Sequence, residues 1–135
     1  MICLDTNAAI ALLETVASPV HARLKSALRS GEAVTVSSVV LFELAYGAAK
    51  SGRPDANARR IGEFLSGEIS VLAFEPADAI EAGQIRADLR RAGTPIGPYD
   101  VLIAGQARRR SAVLVTANNR EFRRVAGLRL EDWME

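Results

Sequence analysis

A chain of 135 residues, 49% apolar and 24% charged, suits a single hydrophobic core and is too balanced for a disordered segment. Its net charge of +1 is not that of a typical nucleic-acid binder, and its lone cysteine and lone histidine cannot form an internal disulfide or a zinc site. No apolar stretch approaches the roughly 18–20 residues that a bilayer requires.

In chain order, Met1–Leu4 reads as a short buried strand running into Asp5-Thr6-Asn7, residue types that cap helices and turn chains. Cys3 is expected to be a small core residue there. The opening segment has neither a basic region nor an apolar signal core, so a soluble cytoplasmic protein is expected. Ala8–Leu13 continues as an apolar helix. Pro19 opens the next, with Val20, Leu24, Ala27 and Leu28 along one face and Gly31 as its stop. His21, beside Arg23 and Lys25, is placed at the surface, which argues against histidine as a general base. Val34–Val36 is the second strand, and Ser37 or Ser38 caps the helix Val39–Lys50.

Pro54–Leu65 reads as a helix with Ile61, Phe64 and Leu65 as core contacts, and Ser70–Phe74 as the third strand. A long helix runs from Pro76 to about Arg91, with Ile80, Gln84/Ile85 and Leu89 along one side. Residues 92–98 hold two prolines and two glycines, a loop composition. Tyr99–Arg110 is helical and Val113–Thr116 is the fourth strand. A mixed end, Phe122–Trp133, adds a short strand at Leu128–Leu130. Strands alternating with helices imply βαβ units. The expected fold is therefore α/β, one domain over residues 1–135, with a mostly parallel sheet of four to five strands and helices on both faces. In such sheets, ligands collect beyond the C-terminal strand ends, near the reversal of strand order.

Three acids stand in strongly apolar surroundings at such places. Asp5 directly follows strand one, Glu43 lies in the early turns of the helix after strand two, and Asp100 begins the helix after the Gly/Pro loop. An unpartnered buried carboxylate costs several kcal/mol, roughly, and no basic residue neighbours Asp5 or Glu43 in sequence. Converging carboxylates without histidine or cysteine suit Mg²⁺ or Mn²⁺. Each acid also has a plainer reading: Asp5 as a helix cap, Glu43 as a solvent-facing residue, Asp100 as a partner of the helix dipole. Seven arginines between Arg108 and Arg129 face a single acid, Glu121. They fit a phosphate-binding surface or simply a solvated one.

The ordered set Leu4-Asp5-Thr6-Asn7, Ser37 through Ala48, Gly97-Pro98-Tyr99-Asp100 through Ala104, and Leu114 through Phe122 resembles the PIN-domain toxins of the VapC type. The likeness continues through Gly83–Leu89 and Gly127–Trp133, covering essentially the whole chain. The resemblance implies a PIN-like fold and a Mg²⁺-dependent endoribonuclease, Mn²⁺ being an alternative metal. The metal site would hold Asp5, Glu43 and Asp100, with Asp5 and Asp100 as direct ligands and Thr6 in support. The family's fourth acid falls where this chain has Asn118, and Glu121 is the nearest acid to it. Arg108, Arg109, Arg120 and Arg123 are expected to hold the substrate backbone, the substrate being RNA and in many such toxins a tRNA. The implied partners are a VapB-like antitoxin, a second copy of the chain, and operator DNA reached only through the antitoxin. The antitoxin groove is expected between the helices Val39–Lys50 and Pro54–Leu65, with Phe42, Tyr46, Ile61, Phe64 and Leu65 as its apolar candidates. Two other readings compete: a co-repressor subunit with a degraded metal site, and a phosphatase of the doubly wound type. The second needs an acid where Asn7 stands.

Overall fold

The computed structural model describes residues 1–14 and 17–134. A five-stranded, wholly parallel sheet runs in the order β3-β2-β1-β4-β5. Its strands are β1 (Ile2–Leu4), β2 (Val34–Ser37), β3 (Ile69–Leu72), β4 (Val113–Val115) and β5 (Arg129–Glu131). The helices between them are α1 (Thr6–Leu13), α2 (Pro19–Arg29), α3 (Ser38–Ala49), α4 (Pro54–Leu65), α5 (Pro76–Arg91), α6 (Pro98–Arg109) and the single turn α7 (Asn119–Phe122). Parallel neighbours require crossovers, and these helices supply them and cover the sheet. No helix among the described residues is long and apolar enough to cross a membrane.

The three central strands carry the core. Every residue of β1 and β2 is buried, as are Leu114 and Val115 of β4. The chain proceeds outward from β1 to β2 and β3, then returns to the far side of β1 as β4. Strand order therefore reverses at the seam between β1 and β4, where such sheets open a crevice. Register sets what lines it. Leu4 pairs with both Val36 and Val115, so Asp5, Ser37 and Thr116 stand at one level, one residue beyond these pairs. Val115 likewise pairs with Glu131, which brings Asp132 to the same rim.

Local chemistry fixes the entries to the helices. Ser37, rather than Ser38, is the N-cap of α3, its hydroxyl accepting from Val39 N at 3.0 Å. Ser38 Oγ instead accepts from Phe74 N at 3.0 Å, and the chain has left the sheet by then, so β3 ends at Leu72 rather than at Phe74. His21 is half-buried rather than on the open surface. Its ring joins the Ser18 hydroxyl at 2.8 Å and the Glu14 carbonyl at 3.1 Å.

The face expected for α5 needs correction. Ile80 is 77% exposed and Gln84 is exposed as well, and the buried row is Asp78, Ala82, Ile85 and Leu89. The two isoleucines stand five residues apart, which puts them on different sides of a 3.6-residue turn. What lets α5 approach α6 is Gly105: a Cβ there would lie 2.6 Å from Ala82 Cβ and 2.7 Å from the Ala82 backbone.

Candidate active site

Asp5 is the N-cap of α1. Its Oδ1 accepts from Ala8 N at 2.8 Å while its own N–H bonds to the Val115 carbonyl at 3.0 Å. The helix-cap reading is thus realised, yet the carboxylate is only 4% exposed and does more than cap. Burial pushes its pKa up, the Thr116 hydroxyl and the Ala8 N–H pull it down, and the charges of Glu43 and Asp132 raise it further. Asp100, in the first turn of α6, is pushed up to about 6, chiefly by burial and then by Glu43, Asp5 and Glu121. Gly97 leaves room for it, since a Cβ there would lie 3.2 Å from Asp100 Oδ2.

The remaining acids are held by neutral groups. Thr6 Oγ1 donates to Glu43 Oε1 at 2.7 Å, which ties α1 to α3 across the crevice. Asn118 Nδ2 donates to Glu121 Oε2 at 3.2 Å, and Asn118 N donates to Thr116 Oγ1 at 2.8 Å. Asn119 Nδ2 reaches Asp132 at 3.4 Å, and Met134 N donates to Asp132 Oδ1 at 2.8 Å. Among the described residues, no lysine or arginine forms an ion pair with Asp5, Glu43, Asp100, Glu121 or Asp132. Five acids from β1, α3, α6, α7 and the end of β5 thus share one rim. Asp5 and Asp100 are each raised in part by neighbouring carboxylates, an unfavourable arrangement unless positive charge arrives from outside.

That donor set fits a hard divalent cation, which takes carboxylate oxygen and needs no histidine or sulfur. Among the described residues, no three Asp, Glu, His or Cys side chains close around one ion position. The acids ring an open crevice rather than a finished cage.

The expected site residues divide. Asp5, Thr6, Glu43, Asp100, Asn118 and Glu121 come together. Arg120 and Arg123 are exposed, on α7 and at its end, in the turn that carries Glu121. Arg108 and Arg109 do not join them: they lie about 12 Å further along α6 at a rise of about 1.5 Å per residue. There they face α5, with Arg108 Nε on Glu81 at 2.9 Å and Arg109 Nε on the fully buried Asp78 at 2.5 Å. Arg110 adds bonds to Glu75 at 2.6 Å and to Asp78 at 3.3 Å. Burial alone would raise the Asp78 pKa, but bonds from Arg109, the Glu75 N–H and Arg110 outweigh it and hold it low. These arginines brace the packing of α5 on α6.

Asp132 and Thr116 escaped the sequence reading. Both directly follow strands, so the rule that singled out Asp5 extends to them. Cys3 is buried in β1 as expected.

A groove of about 270 Å³ opens beside Glu43 and is lined by Ile10, Leu13, Leu44, Ala48, Arg60 and Ile61 among others. It lies between α3 and α4 as expected, but Phe42, Tyr46, Phe64 and Leu65 are not in its lining. Phe42 and Tyr99, both half-exposed, instead meet each other with ring centroids 5.4 Å apart.

A protein family described as PIN domain matches residues 2–128. The chain is similar to a tRNA(fMet)-specific endonuclease VapC from Shigella flexneri, 48% identical over 130 residues that make up 96% of each protein. It superposes on a chain of DNA-bound VapBC from Salmonella typhimurium with a TM-score of 0.89 at 43% identity, over 98% of this chain and 97% of that one. Promoter-DNA-bound VapBC2 from Rickettsia felis gives 0.92 at 33% identity, over 98% and 99%.

Proposed function

The chain belongs to the PIN-domain family, and from that premise we propose that it is the endoribonuclease toxin of a type II toxin–antitoxin pair acting in the cytoplasm. The observation that carries this reading is the rim of acids at the β1–β4 seam, where Asp5 and Asp100 are raised by their carboxylate neighbours and, among the described residues, no lysine or arginine pairs with them. The close relative that acts on tRNA(fMet) makes initiator tRNA the first substrate to try.

Asp5 and Asp100 would hold a divalent ion directly, Mg²⁺ or Mn²⁺, with Glu43 beside them. Such an ion, when bound, offsets phosphate charge and lowers the pKa of a coordinated water. The chain's own residues do the positioning. Thr6 fixes one oxygen of Glu43, leaving the other for the site. Ala8 N–H and Thr116 orient Asp5. Asn118 steers Glu121 toward Asp100 and supplies no charge of its own. With a pKa of about 6, Asp100 is mostly ionised at neutral pH and ready to receive a cation. Arg120 and Arg123 offer charge to the RNA backbone at the rim.

The apolar groove next to Glu43 is suited to a segment of a VapB-like antitoxin, which would there cover the acids, and operator DNA would be reached through that partner. The half-exposed Phe42, Tyr46 and Tyr99 suit contact with a second copy of the chain. Expressing the chain with and without its neighbouring partner gene tests the reading. Growth should slow only when the partner gene is absent, and an Asp5→Ala chain should leave growth untouched in both cases. Equal growth in both cases, with soluble wild-type protein present, would count against a toxin.

A further inference from the structure

We infer that a groove between the C-terminal half of α5 and the Gly/Pro loop is the seat of an RNA backbone phosphate beside the cleaved bond, gripped by Arg86 and Arg90. This rests on the ribonuclease reading above. The groove measures about 340 Å³; Arg86 and Arg90 form one wall, and Pro95, Ile96 and Pro98 form the other.

Four features point to a phosphate. Arg86 and Arg90 are exposed, and neither makes an ion pair among the described residues. They stand four residues apart on one helix, a spacing at which like charges repel, so their pairing offsets part of what Arg90 gains from its place in the last turn of α5. The nearby Asp88 does not relieve them, because it bonds Gln84 at 2.9 Å and also Arg91. No acid lines the groove. Two adjacent guanidinium forks with no internal partner are matched to phosphate oxygens.

Position supplies the rest. Pro98 and Val101, at the groove's inner edge, belong to the first turn of α6, the turn that carries Asp100. Arg124 Nη1 donates to the Pro95 carbonyl at 2.8 Å and so fixes the loop wall. An acidic rim repels an approaching RNA, and cations are needed close by to hold the strand in place. Arg108, Arg109 and Arg110 are spent on Glu75, Asp78 and Glu81. Arg86 and Arg90 are uncommitted, and the Pro95–Ile96 wall offers an apolar face to a sugar.

The test uses the full chain carrying Asp100→Asn, so that RNA can be bound without being cut. Fluorescence anisotropy with labelled initiator tRNA is run over a series of KCl concentrations, with and without Arg86→Gln/Arg90→Gln. Loss of the arginines should weaken binding at least tenfold at low salt. It should also make the log–log salt slope shallower by about 1.4–1.8, as expected for two lost phosphate contacts. In the otherwise wild-type chain the same pair should raise KM more than it lowers kcat. Arg86→Lys/Arg90→Lys, which keeps charge but loses the fork, should fall between. Lys25→Gln/Arg29→Gln on α2 should change nothing. Unchanged affinity and slope in the glutamine pair would overturn the inference. So would loss of antitoxin capture with RNA binding intact, which would give the groove to the partner. The two claims fail separately. A wild-type chain that binds RNA through these arginines yet cuts none would overturn the nuclease reading alone. A wild-type chain that cuts, with the glutamine pair cutting and binding equally well, would overturn the groove alone.

Discussion

Thr6 and Glu43 stand 37 residues apart in the chain and meet through a 2.7 Å hydrogen bond from the threonine hydroxyl to Glu43 Oε1. The bond crosses the crevice between α1 and α3 and decides which way the glutamate faces. Thr6→Val keeps the shape and removes the donor. It should lower the single-turnover cleavage rate about tenfold, the equivalent of roughly 1.4 kcal/mol in barrier, while Thr6→Ser stays close to wild type. Equal rates for all three chains would mean that Glu43 needs no orientation.

Asp100 makes stability depend on pH. Its folded-state pKa of about 6 lies above the ordinary 3.8, so between these values the folded chain binds more proton than the unfolded one. Its contribution therefore becomes more unfavourable as pH rises from about 4 to 6, and levels off above. In chelator, Asp100→Asn should melt higher than wild type at pH 8, with the gap closing toward pH 4. A variant that melts lower at pH 8 would show the carboxylate to be stabilised by a partner.

Metal binding should depend on the outer acids as well. Asp5, Glu43 and Asp100 together carry a charge of about −3 when ionised, enough to offset one divalent ion with charge to spare. Isothermal titration with Mn²⁺ should find at most one tight site without RNA. Glu121→Gln and Asp132→Asn should each weaken it, and Asn118→Asp should tighten it. Two tight sites in the free wild type would mean that the outer acids act as full ligands.

Gly105 tests the packing that carries Asp100. With Ala82 Cβ at 2.6 Å and its backbone N and Cα at 2.7 Å from the position of an added Cβ, Gly105→Ala must push α5 off α6. A loss of about 1–3 kcal/mol in stability is expected from such overpacking. Adding Ala82→Gly should restore little, because the backbone clash remains. Urea unfolding of the three chains checks this, and full rescue by Ala82→Gly would show that only the methyl groups collide.

Much of this arrangement was legible in the sequence, and what was missed has a physical pattern. Strands β1, β2 and β4 are apolar runs ending in polar residues, and Asp5 and Asp100 announce themselves by standing next to such runs. Asp132 does not, because β5 is the short edge segment Arg129-Leu130-Glu131, two of its three residues exposed, and its register on β4 is invisible without pairing. Arg108 and Arg109 read as substrate contacts because they head a basic stretch. Their partners Glu81 and Asp78 lie 27 and 31 residues earlier, and only the docking of α5 on α6 joins them. The same docking explains Asp78, a charged residue on a buried row. Ile80 misled because an apolar side chain was taken as the marker of the inward face, which here is carried by Ala82, Ile85 and Leu89 beside that buried acid. Arg86 and Arg90 drew no notice, since an exposed arginine on a helix is unremarkable until the loop folds over beside it.

The most direct measurement is to map new RNA ends across total RNA after incubation with the purified chain, in Mg²⁺ and in EDTA, for wild type and for Asp5→Ala and Asp100→Ala. A metal-dependent ribonuclease should leave a small set of discrete cuts bearing 5′-phosphates and 3′-hydroxyls, concentrated in a structured RNA such as a tRNA. Those cuts should vanish in EDTA and in both variants. Undiminished cutting by Asp100→Ala in EDTA would contradict it.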